Sequence, residues 1–226
     1  MEVLYEDNHI IIVNKEGGEI VQGDKTGDIP LSETVKAWIK EKYNKPGNVF
    51  LGVVHRLDRP VSGLVVFAKT SKALTRLNDM FRCGEVHKTY WAIVEGYPQN
   101  NEGQLINYLR PIERNNKTYV YDEPVAGSKE ARLNYRVIAR GERYSLVEIE
   151  LLTGRKHQIR AQMSAIGCPI KGDLKYGARR SNRDGGISLL ARKIELKHPV
   201  SKTKISIEAE CTSEMRKFLP SSENKN

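Results

Sequence analysis

Residues 3–14, VLYEDNHIIIVN, give two short apolar runs parted by Glu6, Asp7 and Asn8, the pattern of a β-hairpin. From residue 31 to 43 the apolar positions Leu31, Val35, Trp38, Ile39 and Tyr43 recur at helical spacing. A surface helix with Trp38 in the core is expected there. A second helix places Leu74, Leu77, Met80 and Phe81 on one face. Ser71 is its candidate N-cap, and Cys83 and Gly84 end it. Residues 88–96, KTYWAIVEG, alternate as a strand, with Tyr90, Ala92 and Val94 on one side and Trp91 and Ile93 on the other.

Residues 97–129 are polar, and the least regular part of the fold is expected there. Clear alternation returns in residues 131–151, broken at Gly141 and Glu142, which predicts a hairpin of two long strands. In residues 153–167, TGRKHQIRAQMSAIG, Gly154 breaks the strand and Ile159, Met163 and Ile166 mark a helix. Its first turn is expected to carry Arg155, Lys156 and His157. Cations there oppose the helix dipole, so a partner is required to hold them. A structural Arg capping the preceding loop would suffice, while a substrate phosphate or a buried carboxylate, with Asp58 the candidate, would explain the placement better. Short strands are expected at residues 187–190, 194–197 and 203–210, then a short helix at 215–219 and a frayed tail at 221–226. No repeat or linker divides the chain, so one α+β domain with a weak division near residue 97 is the economical assignment.

The densest chemistry lies in residues 53–69, VVHRLDRPVSGLVVFAK. Apolar runs flank a loop bearing His55, Arg56, Asp58 and Arg59, and Pro60 and Gly63 shape its turn. Local chemistry alone leaves two readings open for Asp58, a structural ion pair or a reactive carboxylate.

Composition narrows the partners. The 37 Lys and Arg residues outnumber 28 Asp and Glu, a net charge of +9 that suits a polyanion. No 18-residue apolar run and no signal segment are present in the sequence, so cytoplasm is the default. Cys83, Cys168 and Cys211 are widely spaced with no CxxC pair, which implies reduced thiols and no metal site.

HRLDRPVSG followed by LVVFAK (55–69), KTYWAIVEG (88–96), TGRKHQIRAQM (153–163) and GCPIKGDLKYG (167–177) stand in the order found in RluA-type pseudouridine synthases, and the chain closely resembles that family. VNK (13–15) in the leading hairpin also fits. The resemblance implies a pseudouridine synthase fold, α+β, with a single catalytic domain over residues 1–226 and a mixed, mainly antiparallel β-sheet flanked by helices. It implies isomerisation of uridine in structured RNA, ribosomal or transfer, with no cofactor and no metal. A monomer is the expectation.

By motif, Asp58 is the nucleophile, attacking the anomeric carbon or carbon 6 of the base, or else assisting removal of a sugar proton. Arg155 is its ion-pair partner. Tyr90 packs on the target uracil and assists proton removal from carbon 5, and Arg56 fills the gap left by the flipped nucleotide. His55, Arg59, Lys175, Arg179, Arg180 and Arg183 are read as RNA backbone contacts, against the alternative of solvated or turn-stabilising side chains. Lys72, Arg76 and Arg82 suit either solvent or an RNA backbone. The pattern departs from the family at Glu16, where proline commonly follows the VNK lysine, and at Leu190, where many members have histidine. No small RNA-binding domain precedes residue 1 as it does in many relatives, which places substrate choice in the catalytic domain. A binding module that has lost its chemistry is disfavoured by Asp58, Tyr90 and Arg155. A glycosidase is disfavoured by the lack of a second carboxylate in the matched motifs.

Overall fold

A computed structural model describes residues 1–220, and the tail at 221–226 lies outside the described residues. The chain runs β1 (Glu2–Glu6), β2 (Ile10–Lys15), α1 (Leu31–Lys42), β3 (Gly52–Val53), β4 (Ser62–Ala68), α2 (Ser71–Cys83) and β5 (His87–Glu95). It continues with β6 (Glu102–Ile112), β7 (Lys117–Tyr121), β8 (Lys129–Arg140), β9 (Tyr144–Leu151), α3 (Gln158–Ala165), β10 (Leu189–Lys197), β11 (Lys204–Glu208) and α4 (Ser213–Arg216). The fold is α+β, as the motifs imply.

Two compact units form. The first is Met1–Val86 with Lys193–Ala209, and the second is His87–Arg192 with the segment from Glu210. In the first, β2 lies between β1 and β4 in antiparallel register, Val3↔Val13 on one side and Val13↔Val65 on the other. Ile10, Ile11, Ile12 and Val13 are all buried, so β2 is apolar on both faces and shows no alternation. The turn before β2 is set by Asp7, whose Oδ1 accepts from the N–H groups of His9 (2.7 Å) and Ile10 (2.9 Å). β3 adds to β4 through Gly52↔Ala68, and α2 packs so tightly there that a Cβ on Gly52 would meet Leu74 at 2.7 Å.

The cap of α2 is Thr70, not Ser71. The Thr70 hydroxyl accepts from Ala73 N–H at 3.2 Å, and Gly84 closes the helix with φ 74. On its polar face Arg76 donates to the Pro199 carbonyl at 2.8 Å and so ties α2 to a distant segment, whereas Arg82 forms a solvent-exposed pair with Asp79 one turn away. Trp38 is half-buried, with the Lys42 ammonium 4.5 Å above its ring, because α1 buries Leu31, Val35 and Ile39 instead.

In the second unit the strand order is β5-β9-β8-β6-β7, each neighbour antiparallel. The expected hairpin forms as β8 and β9, with Gly141 N–H donating to the Tyr144 carbonyl at 2.8 Å. The region expected to be least regular contains β6 and β7. Its polar residues face solvent and pair across strands, Gln104 with Asn134 at 2.9 Å and Asn107 with Asp122 at 3.2 Å. The short segments expected at 187–190 and 194–197 are joined in one strand, β10, through Ala191, Arg192 and Lys193. The terminal helix starts at Ser213, two residues ahead of the expected position, because the Thr212 hydroxyl accepts from Met215 N–H and caps it there.

Candidate functional site

In the first unit the sequence HRLDRP forms the loop between β3 and β4. Asp58 accepts at its carbonyl from Val61 N–H (3.0 Å), closing a turn around Arg59 and Pro60, and Gly63 enters β4 with φ 113, a conformation that glycine tolerates. Beneath this turn lies Lys15, 1% exposed, donating to the carbonyls of Glu16 (2.8 Å), Arg59 (3.0 Å) and Val61 (2.6 Å). Burial pulls the Lys15 amine down to about 8, against the opposing pull of the Glu19 and Asp58 carboxylates. Lys15 was legible only as part of VNK. Its signal is a lysine at the end of an otherwise apolar strand, where a charge needs partners.

The neighbouring side chains divide by exposure. Arg56 points to solvent. Arg59 donates to Asp28 (2.6 Å) and Thr26 (2.8 Å), and His55 accepts at Nε2 from Val66 N–H (2.9 Å) and stacks on Phe81 at 4.7 Å. Both therefore brace the loop. Glu16 keeps the N–H that a proline would lack, and this donates to Glu19 at 2.8 Å, so the departure at this position is absorbed by a local hydrogen bond.

In the second unit Tyr90 sits on β5 opposite Ile149 and is 7% exposed, more enclosed than a tyrosine near a strand start would usually be. Lys88 projects from the same side of β5, its amine beside Gly154, and burial lowers its pKa.

The motif TGRKHQIR differs from expectation. α3 begins at Gln158, and His157 is its cap residue in a left-handed conformation (φ 53), so Arg155 and Lys156 lie ahead of the helix and not in its first turn. Gln158 organises this turn. Its Oε1 accepts from Arg155 N–H (3.0 Å) and Thr153 Oγ1 (2.8 Å), and its Nε2 donates to the Arg132 carbonyl (3.0 Å). The Arg155 guanidinium is exposed and donates to the Glu130 carbonyl at 2.8 Å.

The buried cation of this motif is Arg160. It forms a two-pronged pair with Asp173, at 2.7 and 2.9 Å, with both side chains almost wholly buried. It also lies 5.0 Å from the ring of Tyr176, whose hydroxyl accepts from Thr118 N–H (2.8 Å) and bonds His157 Nδ1 (2.9 Å). Burial pushes the Tyr176 phenol up. Sequence reading passed over Arg160, although a lone cation among Ile159, Ala161 and Met163 demands a carboxylate. The one in GCPIKGDLKYG supplies it.

Lys175 donates to the Asn116 carbonyl (3.1 Å) but stays exposed, as do Arg179, Arg180 and Arg183. Leu190 is buried in β10. Cys83 is exposed, Cys168 buried and Cys211 intermediate, each a free thiol. Among the described residues no helix is long and apolar enough to cross a membrane.

The family model described as RNA pseudouridylate synthase matches residues 9–165. The chain is 33% identical over 230 aligned positions to a tRNA pseudouridine synthase C of Pectobacterium carotovorum subsp. carotovorum, which covers 92% of this chain and 58% of that protein. It is 32% identical over 223 positions to a ribosomal large subunit pseudouridine synthase C of Vibrio cholerae serotype O1, covering 96% of this chain and 68% of the other. The solved structure of human RNA Pseudouridylate Synthase Domain Containing 4 superposes with a TM-score of 0.79 at 22% identity, covering 95% of this chain and 90% of that one. At that identity the likeness establishes the shared fold.

Proposed function

The chain belongs to the RNA pseudouridylate synthase family, and from that membership we propose that it converts specific uridines in ribosomal or transfer RNA to pseudouridine, with Asp58 as the nucleophile on a flipped-out uridine. The observation that carries the reading is the family match over residues 9–165, which contains Asp58 in its HRLDRP turn, Tyr90 and Arg155.

The reaction is an isomerisation. The bond from uracil nitrogen to the anomeric carbon breaks, the base turns, its carbon 5 bonds to the sugar, and the proton displaced from carbon 5 is balanced by one gained at the freed nitrogen. A carboxylate is what this chemistry asks of Asp58, and Lys15 holds the turn that carries it from below. Tyr90 and Arg155 keep the roles implied by their motifs. The nucleotide must leave its stack to be reached, at a cost of about a few kcal/mol. The exposed Arg56 is suited to stacking in the vacated space. Backbone contacts fall to the exposed Lys175, Arg179, Arg180 and Arg183. His55 and Arg59 contribute through the loop they brace.

One relative is named for transfer RNA and another for the large ribosomal subunit, so both RNA classes are candidate substrates. Mapping pseudouridines in total RNA with and without the gene tests the proposal. Specific sites should vanish in its absence, and identical maps would overturn it.

A further inference from the structure

The basic segment 178–186 carries Arg179, Arg180 and Arg183, yet its backbone is not a free arc. At its middle, Asn182 packs its side-chain amide against Gly172, where φ is 89 and an added Cβ would meet the amide at 2.7 Å. Asn182 Oδ1 accepts from Lys171 Nζ at 3.2 Å, and its Nδ2 donates to Ser188 Oγ at 3.1 Å. Both of those residues reach on to Glu214 of α4, Lys171 at 2.5 Å and Ser188 at 3.0 Å. The Asn182 carbonyl accepts from Gly185 N–H at 3.2 Å. The start of the segment is tied to β5, Arg179 N–H donating to Glu95 at 2.9 Å, and near its end Gly186 N–H closes a local turn on Asp184 at 2.9 Å.

The side chains do the opposite. All three arginines are exposed, and Arg179 is 90% so, its Nε lying 3.8 Å from Glu95. A loop whose only task were solubility would need no such anchoring. Holding the backbone while leaving the cations outward removes the ordering cost that a flexible arginine loop meets when it binds.

We propose that segment 178–186 is a pre-set phosphate-binding arch for the substrate RNA, with Asn182 as the positioning residue that fixes where its arginines stand. The inference rests on the RNA-modifying reading above, which gives these arginines contacts to the RNA backbone, and adds to it the pre-set loop and the residue that hold them in place.

The test compares wild type, Asn182→Ala and the triple variant Arg179→Ala/Arg180→Ala/Arg183→Ala, using total transfer RNA as probe across a salt series and in turnover assays. The triple variant should bind about tenfold or more weakly, and its salt slope should fall by about two to three. Asn182→Ala, which keeps every charge, should raise KM several-fold while kcat stays within twofold and the salt slope is kept. Ser188→Ala, which removes the acceptor of Asn182 Nδ2 and also keeps every charge, should move KM in the same direction. A triple variant that binds as wild type overturns the arch. An Asn182→Ala variant with unchanged KM, or with lowered kcat alone, overturns the positioning role, and if that variant fails to fold, Ser188→Ala decides by the same criterion. Wild type that binds no RNA at all would overturn the reading beneath it, an outcome distinct from either of these.

Discussion

The Lys15 ammonium donates to the Val61 carbonyl at 2.6 Å, and the N–H of the same Val61 donates to the carbonyl of Asp58 at 3.0 Å. The end of a buried strand is thus fastened to the turn that presents the candidate nucleophile. Lys15→Met keeps the aliphatic volume but leaves the carbonyls of Glu16, Arg59 and Val61 without this donor. A loss of about 2–4 kcal/mol in urea unfolding is expected, since each buried group left unsatisfied costs roughly 1–3 kcal/mol. Turnover should fall with it. A variant that unfolds at the wild-type midpoint would contradict the clamp.

The same lysine gives a pH signature. The unfolded chain holds this proton up to the ordinary value of 10.5, whereas burial in the folded state releases it near 8, with Glu19 and Asp58 opposing and Arg59 assisting the release. Between those values the unfolded state binds more protons, so stability should rise with pH. The wild type should gain on Lys15→Met by up to about 3 kcal/mol between pH 7 and pH 10. A stability difference that stays flat across that window would count against it.

Arg160 and Asp173 form the buried pair of the second unit. Asp173→Ala removes the carboxylate and leaves a guanidinium in a site with almost no solvent, so a loss of about 3–5 kcal/mol is expected in chemical denaturation. A change below about 1 kcal/mol would mean that the pair contributes little to the fold.

Arg155 supplies the contrast. Its guanidinium is exposed and donates to the carbonyl of Glu130, so Arg155→Ala should shift stability by less than about 1 kcal/mol. Its motif role places the loss in turnover. An unfolded Arg155→Ala variant would make the residue structural, and an active one would remove it from the chemistry.

Periodicity made parts of this protein legible in sequence. Leu31, Val35 and Ile39 spaced a helix, and the alternation from Ala131 to Leu151 drew the β8–β9 hairpin, because in both cases one face is buried and the other wet. β6 was illegible for the converse reason. Its Gln104 and Asn107 are satisfied by Asn134 and Asp122 across the sheet, partners that no local window contains. α3 starts later than the periodicity predicts because His157 adopts a left-handed turn instead of a helical one, and its ring is bonded to Tyr176 nineteen residues away, beyond any local window. Arg160, two residues inside the helix, is buried in a way that only the fold reveals.

The central claim is that Asp58 carries out the chemistry on a uridine of RNA. Asp58→Asn keeps the size of the side chain and the backbone turn to Val61 but removes the charge. Purified wild type and Asp58→Asn should be incubated with RNA from cells lacking the gene, and pseudouridine measured by nucleoside analysis alongside RNA binding. No product is expected from the variant, with binding within a few-fold of wild type. Pseudouridine formed by Asp58→Asn at the sites that wild type modifies would contradict it.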